Sequence, residues 1–270
     1  MSIESILRST VLHKPYLSFR DSRLANFLFT ITHEKEWWVH LSDKTKDRAS
    51  LVFKPALIPL HYKIWKHLGQ QKINWIYYKY SSGYLYQGWD RLGLTGSRPT
   101  EKRFIDYGLN TILKPHMEVL DIGANVGFLA LACAEKVAHV DAVEFNPFLV
   151  AIGEDAASFL GIKNISFYNQ DFQKFEVKKQ YDLIMSYANH NTVDGNMNPD
   201  IRGYFERMHN LLKPDGTLLF ESHHHEPSDF HSFMDSLSDL FIREERKFFL
   251  SRSVDEGNRY FFRLRKLKEK

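Results

Sequence analysis

The chain has little cysteine and no long apolar run, and both absences narrow what it can be. Cys133 is the single cysteine among 270 residues, so an intrachain disulfide and a cysteine-ligated metal cluster are excluded. Its apolar surroundings favour a packed thiol over a nucleophile. No stretch approaches the roughly 18 apolar residues of a membrane-spanning helix, and residues 1–5 lack the pattern of a signal peptide. We therefore expect no membrane span and a cytoplasmic location.

Acidic residues are scarce in the first third of the chain. Residues 1–98 carry 15 Lys or Arg against 7 Asp or Glu, whereas the remainder carries 21 against 26. We place a boundary here, with an accessory region over 1–98 and a second domain over 99–270. Basic residues interleaved with aromatics can bind RNA, phosphates or sugars. A solvated basic face over an aromatic core explains the same composition equally well.

The accessory region shows mixed secondary-structure signals, read from short apolar and aromatic runs. They predict strands over Phe27–Thr32, Glu36–Leu41 and Ser50–Phe53, a helix over Leu60–Leu68, and a hairpin of Asn74–Lys79 with Tyr84–Gly88 across the turn Ser81-Ser82-Gly83.

The most informative stretch is VLDIGANVG, residues 119–127. The apolar run Met117–Ile122 suits a strand buried on both faces. Gly123 and Gly127 let the backbone pass close to a ligand, and Asn125 is among the few non-glycine residues that tolerate positive φ. Strong helix formers follow the second glycine. This unit of strand, glycine loop and helix indicates a nucleotide-like cofactor.

The spacing of the loop separates two ligand classes. A dinucleotide-binding loop needs G-x-G-x-x-G, which is absent here. The order D-x-G-x-N-x-G resembles motif I of the class I S-adenosylmethionine-dependent methyltransferases. The resemblance implies S-adenosylmethionine as the cofactor, held at the loop by Asp121, Gly123, Ala124, Asn125 and Gly127. Asn125, in place of a common glycine, is the loop's one departure.

Later residues extend the resemblance from about Thr100 to the C terminus. A second strand, Val137–Glu144, ends in the acid that a doubly wound fold places at a ribose diol. After a third strand, Ile165–Asn169, the family commonly has an acid at the adenine amino group. That role falls to Asp171, with a helix N-cap as the alternative. The implied cofactor set also includes Phe145, Asn146, Phe172 and Ser186, and Asn146 is the expected N-cap of a helix beginning at Pro147.

Alternating strands and helices predict an α/β fold with a parallel sheet covered by helices on both faces. The resemblance implies that this is the seven-stranded Rossmann-like methyltransferase sheet. Further strands are expected over Tyr181–Tyr187 and, after a turn at 213–216, over Thr217–Ser222. The last two, Phe241–Ser251 and Arg259–Arg265, should pair as an antiparallel C-terminal hairpin across a turn at 254–258. In the family such a reversed strand distinguishes the sheet from dinucleotide folds. The predicted helices are Phe128–Lys136, Phe148–Leu160, Ile201–Leu212 and Phe230–Leu240.

Catalysis is expected beyond the strand Tyr181–Tyr187, because open parallel sheets bind ligands at this end. His190 is our candidate base for a hydroxyl acceptor, with Tyr187 and Asn189 as further catalytic residues and Asn191 as a substrate contact. A histidine that only bonds loop backbone is the alternative. The stretch lacks the Asn/Asp-Pro-Pro-aromatic pattern of amino methyltransferases, which weakens an N-methylation reading.

Two other places are candidates for substrate contact. Arg98 can hold the methionine carboxylate or an anionic acceptor in a bidentate grip, although a linker arginine fits the pattern as well. Thr100, two residues later, is a possible N-cap. The run Glu221-Ser222-His223-His224-His225-Glu226 places His223 and His225 on one face. Such a run can bind a divalent metal, but we assign the two histidines to substrate contact instead.

These features together indicate an S-adenosylmethionine-dependent methyltransferase whose region 1–98 recognises the acceptor. O-methylation of a small-molecule or glycan hydroxyl is the preferred reaction. RNA methylation is the alternative within enzymes, since the first region is basic. A non-catalytic cofactor-binding scaffold that binds a partner protein is the alternative from another class.

Overall fold

A computed structural model describes residues 37–190, 192, 200–223, 226, 228–249 and 259–267, with side chains from residue 41 onward. Several predictions from sequence lie outside these residues: the strand Phe27–Thr32, the turn at 254–258, and the substrate contacts Asn191 and His225.

A seven-stranded sheet forms the centre of the described chain. Its strands are β3 (Glu118–Ile122), β4 (His139–Glu144), β5 (Ile165–Asn169), β6 (Tyr181–Tyr187), β7 (Leu212–Glu221), β8 (Phe241–Phe249) and β9 (Arg259–Lys266); a separate parallel pair is β1 (Gln87–Gly88) and β2 (Arg98–Pro99). From edge to edge the order is β5-β4-β3-β6-β7-β9-β8, and β9 is antiparallel to both of its neighbours whereas β3 to β7 are parallel. This arrangement confirms the predicted fold, including the reversed strand.

The helices cover both faces of the sheet. They are α1 (Trp37–Phe53), α2 (Ile58–Asn74), α3 (Thr100–Asp106), α4 (Leu109–Ile112), α5 (Phe128–Ala134), α6 (Pro147–Leu160), α7 (Ile201–Leu211) and α8 (Phe230–Ser236), with short 3-10 turns at Pro55–Leu57, Asp90–Leu92, Phe172–Lys174 and Leu237–Asp239. None of these helices is long and apolar enough to cross a membrane.

Two apolar cores lie on opposite faces of the sheet, because successive strand residues point to opposite sides. Leu183 belongs to the core under α5 and α6, and its neighbour Ile184 belongs to the core under α7 and α8. Cys133 is wholly buried in the first core, so the predicted packed thiol is confirmed. Burial raises the pKa of this thiol well above its ordinary value, which keeps it protonated and unreactive.

The first described helix corrects two predicted strands. Glu36–Leu41 and Ser50–Phe53 were expected to be strands, but Trp37–Phe53 is one continuous helix. Its inward positions follow helical spacing and are polar: Asp47 is buried and accepts from the backbone N–H and the hydroxyl of Thr95, both at 2.8 Å. The hydroxyl of Ser50 donates to the carbonyl of Gly93 at 3.1 Å. Polar side chains hold this helix to the following part of the chain. Its sequence therefore lacks the apolar periodicity that predicts helices.

The predicted hairpin is also wrong, although its turn is present. Ser81 and Tyr84 form an isolated antiparallel bridge around the turn, but α2 continues to Asn74 and residues 75–79 form no strand. Trp75 packs its ring against Phe145 instead, at 5.5 Å between centroids. Tertiary aromatic packing therefore outweighs the β propensity of this run. The helix predicted over Leu60–Leu68 is confirmed and is longer, as Ile58–Asn74.

Several boundaries differ from expectation. β7 begins at Leu212, because that residue pairs with Tyr181 before the chain bulges at 213–216, where Thr217 resumes pairing with Leu183. Pro99, not Thr100, is the N-cap of α3, and the Thr100 hydroxyl donates to the carbonyl of Gly88 at 2.8 Å. The helix predicted over Phe230–Leu240 is helical only to Ser236 and then continues as a 3-10 turn.

Candidate active site

The loop between β3 and α5 has the backbone that its sequence predicts. Gly123, Asn125 and Gly127 have φ values of 66°, 57° and 70°, in the left-handed region. A Cβ on Gly127 would lie 2.5 Å from the ring of Phe167, so this glycine also serves packing. The loop consequently turns tightly over the carboxyl end of β3.

Glu144, at the end of the next strand, holds this loop from one side. Its carboxylate accepts from the backbone N–H of Asn125 and of Asn146, each at 2.8 Å. Asn146 in turn caps α6, because its side chain accepts from the N–H of Phe148 at 3.0 Å, which confirms the predicted N-cap. A carboxylate accepts hydrogen bonds only, so Glu144 is chemically suited to a ligand hydroxyl.

Gln87 holds the loop from the other side. Its side-chain N–H donates to the carbonyl of Ala124 at 2.9 Å, and its side-chain oxygen accepts from the N–H of Leu129 at 3.1 Å. This glutamine is buried and comes from β1, in the accessory region. A residue outside the strand-loop-helix unit therefore completes the loop.

Two buried polar atoms at the loop lack a partner within the described chain. One is Oδ2 of Asp121 and the other is the side-chain oxygen of Asn125. Burial raises the pKa of Asp121 to about 7, although Arg103 acts in the opposite direction. Buried polar atoms normally have partners, so these two groups mark a place built for a ligand.

Asn189 lies directly over Gly123. The chain turns back after β6 at Ala188, which has a φ of 54°, and this turn aims the Asn189 amide at the carbonyl of Ile122, to which it donates. A Cβ on Gly123 would lie 2.8 Å from Cβ of Asn189. The side-chain oxygen of Asn189 accepts from the hydroxyls of Ser186 at 2.9 Å and of Tyr204 at 3.1 Å. Glycine is thus required at 123 by both conformation and contact.

His190 follows Asn189 and forms a pair with Glu226. Its Nε2 lies 3.1 Å from Oε1 of Glu226, and its Nδ1 is buried without a hydrogen-bond partner among the described residues. The ring packs against Phe220 and Phe230 in the core under α7 and α8. His190 therefore approaches the carboxyl end of β6 from the face opposite to Tyr187, which belongs to the other core.

An arginine and tyrosine cluster occupies that other face. Arg103 is 4% exposed, and its Cζ lies over the rings of Tyr86, Tyr107 and Tyr187 at 5.7, 5.5 and 5.0 Å. Glu221, at the end of β7, accepts from the Tyr107 hydroxyl and is paired with Arg259 at 2.8 Å. The members of this cluster are Tyr86, Arg98, Arg103, Tyr107, Tyr187, Glu221 and Arg259.

Comparison with known proteins identifies the family. Residues 113–249 match the family described as "Methyltransferase domain". The chain belongs to this methyltransferase family. It is 27% identical over 112 residues to a malonyl-[acyl-carrier protein] O-methyltransferase of Bacillus cereus, a match that covers 41% of this chain and 39% of that protein. The chain thus spans about two fifths of the length of this curated relative.

Solved structures support the same fold. The N-methyltransferase NodS of Bradyrhizobium japonicum, in complex with S-adenosylhomocysteine, is 18% identical with a TM-score of 0.50, covering 62% of this chain and 85% of that one. The [4+2]-cyclase SpnF is 14% identical with a TM-score of 0.52, covering 62% and 80%. At such identities the likeness shows the fold alone, and the two names show that this fold carries different reactions.

S-adenosylmethionine is the cofactor of this methyltransferase family, and the loop fits it. The unpartnered oxygens of Asp121 and Asn125 are acceptors for the cofactor's polar groups. Ala124, Gly123 and Gly127 complete the same turn. The predicted loop residues are therefore brought together around one surface.

The residues predicted to surround adenine and ribose are brought near each other, with local partners of their own. Asp171 accepts from the N–H of Gln173 at 2.9 Å and caps a 3-10 turn, as its alternative interpretation expected. Phe172 is buried against Tyr204. Phe145 is partly exposed beside Trp75 and Tyr77, two aromatic rings of the accessory region.

The histidine run after β7 is only partly described. His223 donates its backbone N–H to Oε1 of Glu226 at 2.6 Å, so this residue helps to hold the partner of His190. Within the described residues no group of three or more His, Cys, Asp or Glu is arranged to hold a metal ion.

Sequence reasoning missed several residues of this site. Gln87, Tyr86 and Arg259 reach it from far along the chain, and no local pattern marks them. Arg103 and Tyr107 had a usable signal, because a spacing of four residues places both on one helical face. Glu226 was noticed as part of the histidine run, but its pairing with His190 follows only from the fold.

Proposed function

We propose that this methyltransferase transfers the methyl group to an oxygen of a small-molecule or glycan hydroxyl, with His190 as general base. The observation that carries the proposal is the pair of His190 with Glu226 at the carboxyl end of β6. A hydroxyl is a weak nucleophile, so a base must take its proton as the oxygen attacks. When bound, S-adenosylmethionine supplies an electrophilic methyl group on a sulfonium that leaves as a neutral thioether.

The geometry of the pair selects one nitrogen of His190. Glu226 accepts from Nε2–H, at 3.1 Å to Oε1 and 3.3 Å to Oε2, which leaves the lone pair of Nδ1 available. Phe220 and Phe230 hold the ring in place. His190 would therefore receive the hydroxyl proton at Nδ1, and Glu226 would stabilise the imidazolium that forms.

Asn189 and Tyr187 are proposed to complete the reacting end of the site. Ser186 and Tyr204 orient the Asn189 amide, which lies over the glycine loop between the two faces. The Tyr187 hydroxyl is buried and has no partner among the described residues. Both groups can orient an acceptor that enters from the carboxyl end of β6.

The cofactor assignments belong to the same proposal. Asp121, Asn125 and the loop glycines would hold the methionine end, Glu144 the ribose, and Asp171 with Phe145 the adenine. The region 1–98 would shape the acceptor site, since Tyr86, Gln87 and Arg98 already reach the carboxyl end of the sheet. The oxygen-methylating relative of Bacillus cereus supports an oxygen acceptor.

The test is methyl transfer from radiolabelled S-adenosylmethionine to a panel of hydroxyl compounds, glycans and RNA. We expect transfer to a hydroxyl, with His190→Asn reducing kcat at least 100-fold and Glu226→Gln at least 10-fold, both with unchanged affinity for S-adenosylhomocysteine. His231→Asn, in α8, is the matched control and should keep full turnover. Full turnover of His190→Asn would remove the base, transfer only to RNA would establish the nucleic-acid alternative, and cofactor binding without any transfer would support the scaffold.

A further inference from the structure

The arginine cluster contains more positive charge than its acid can satisfy. Glu221 is wholly buried, and its two oxygens are engaged by Arg259 and by the Tyr107 hydroxyl. Burial alone would raise the pKa of Glu221, but Arg259, Arg98 and Arg103 together lower it. One carboxylate thus faces three guanidinium groups, and two of those groups form no ion pair with it.

The two remaining arginines have unused donors. Nε and Nη1 of Arg103 and Nε and Nη2 of Arg98 are buried, and none has a hydrogen-bond partner among the described residues. The tyrosine rings around Arg103 favour its charge through their faces, and the Tyr107 side chain also hydrogen-bonds to it, but Nε and Nη1 have no acceptor among the described residues. Buried donors without acceptors are costly, and a guanidinium fork matches a carboxylate or a phosphate.

The position of the cluster distinguishes the acceptor from the cofactor. Glu144, the proposed ribose ligand, ends β4 on one side of β3, whereas Tyr187 and Glu221 end β6 and β7 on the other side. Neighbouring strands are about 4.8 Å apart, so the end of β7 lies roughly 10 Å from that of β3. The cofactor would run from Glu144 to the loop after β3. Arg103 lies near that loop, since it lowers the pKa of Asp121, and all three arginines face Glu221 at the end of β7.

We propose that Arg98 and Arg103 bind a carboxylate or phosphate group carried by the acceptor. This inference rests on the proposed function, since it adds an acidic group to the hydroxyl-bearing acceptor of the same site. The acidic group is held on the face of Tyr187, and the hydroxyl that reacts is a separate part of the molecule. The site selects acidic acceptors, because a neutral analogue would leave the buried N–H groups unpaired.

The test is calorimetric titration of the protein saturated with S-adenosylhomocysteine, using malonate and inorganic phosphate as probes and malonamide as the neutral control. We expect one or both acids to bind and malonamide not to bind. Arg98→Gln and Arg103→Gln should weaken acid binding at least 10-fold, whereas Arg243→Gln, an exposed arginine of β8, should leave it unchanged. The affinity for S-adenosylhomocysteine should stay within twofold in all three variants.

Three results would overturn the proposal: no binding of either acid, equal binding of malonamide, or acid binding that survives both substitutions. A parallel loss of S-adenosylhomocysteine affinity would also overturn it, because the arginines would then hold the cofactor's carboxylate. If Arg103→Gln fails to fold, the partly exposed Arg98 decides the question. His190→Asn should bind malonate normally, so failure of the hydroxyl reaction and failure of the acid site are distinguishable.

Discussion

The two ends of the central sheet use the same kinds of side chain in opposite ways. Toward the amino end, Asp141 of β4 is 1% exposed and is bonded to Lys179 and the Tyr181 hydroxyl, each at 2.7 Å, and to His139 at 3.1 Å. At the carboxyl end, Asp121 of the adjacent strand is similarly buried, but its Oδ2 has no partner in the described chain.

We propose that this difference separates structural charges from ligand-binding ones. A shallow cleft of about 700 Å³ opens at the amino end, lined by Glu118, His139, Lys179, Gln180 and Lys213. Lys179 and Lys213 there are already paired, with Glu118 and with Asp182. Most unpartnered buried groups of the described residues lie instead around the carboxyl end, among them Asp121, Arg103, Tyr187 and His190, and none belongs to the lining of this cleft. Buried polar groups without a hydrogen-bond partner, rather than the volume of a cleft, indicate the proposed ligand-binding end of the sheet.

The comparison is tested most strongly by removing the charge of each buried aspartate. Asp141→Asn should lower the free energy of unfolding by about 3 kcal/mol, because the buried carboxylate's charge-assisted bonds with Lys179 and the Tyr181 hydroxyl are weakened. Asp121→Asn should cause no such loss near pH 8, but should weaken S-adenosylhomocysteine binding at least 10-fold. Urea denaturation and calorimetry measure the two effects. Equal destabilisation by both variants would contradict the distinction.

The pH dependence of stability gives a second test, without ligand. The pKa of Asp121 is raised to about 7 in the folded state, so the folded protein holds a proton that the unfolded chain releases near pH 4. Its contribution to stability is therefore complete below about pH 4 and is lost as the pH rises toward 7 and above, by on the order of 3 kcal/mol. Denaturation of Asp121→Asn from pH 5 to 8 should lack this component. An unchanged pH profile in that variant would refute the assignment to Asp121.

A methyl group at Gly123 is expected to have a smaller effect. Gly123→Ala would place a Cβ against Asn189 at a φ of 66°, costing about 2 kcal/mol and weakening cofactor binding. Gly69→Ala is the matched control, since Gly69 is an exposed helical residue with nothing within 4 Å of a new Cβ. That variant should gain up to about 1 kcal/mol from helix propensity. Thermal denaturation checks both signs, and a stabilised Gly123→Ala would be inconsistent with this geometry.

The smallest expected effect compares two left-handed residues at opposite ends of the sheet. Ala188 has a φ of 54° beside the site, and Asp215 has a φ of 61° in the bulge of β7. Ala188→Gly should stabilise by about 1 kcal/mol and lower cofactor affinity a few-fold, because the turn that aims Asn189 becomes freer. Asp215→Gly should change stability by only a few tenths of a kcal/mol, since aspartate tolerates this conformation, and should leave affinity unchanged. Calorimetry would count against a positioning role if both variants bound alike.

The parallel part of the fold was predictable because its signals are local. Strands such as Ile165–Asn169 and Tyr181–Tyr187 are apolar runs bounded by turns, and their observed limits equal the predicted ones. The antiparallel hairpin followed from two runs joined by a short turn. Helix α1 was not predictable in this way, since its one buried side chain from residue 41 onward is the polar Asp47.

The candidate site shows the same distinction between parts with a local sequence signal and parts without one. The loop from Asp121 to Gly127 and the end of β4 at Glu144 are local patterns with a chemical reason. Three contacts depend on distant segments: the bond from the Asn125 N–H to Glu144, the pairing of His190 with Glu226, and the convergence of Arg98, Arg103 and Arg259 on Glu221. Such contacts leave no periodicity in a single sequence.

Gln87 makes the loop between β3 and α5 depend on two parts of the chain. Its two hydrogen bonds reach Ala124 and Leu129, yet it lies before residue 113, where the match to the methyltransferase family begins. A protein that received residues 113–249 alone would contain the loop without Gln87. The buried carbonyl and the buried N–H that Gln87 binds would then have lost their hydrogen-bond partner. Because the chain is synthesised from its amino end, Gln87 leaves the ribosome before the loop to which it binds. The segment that matches the methyltransferase family therefore depends on the preceding region for the structure of this loop.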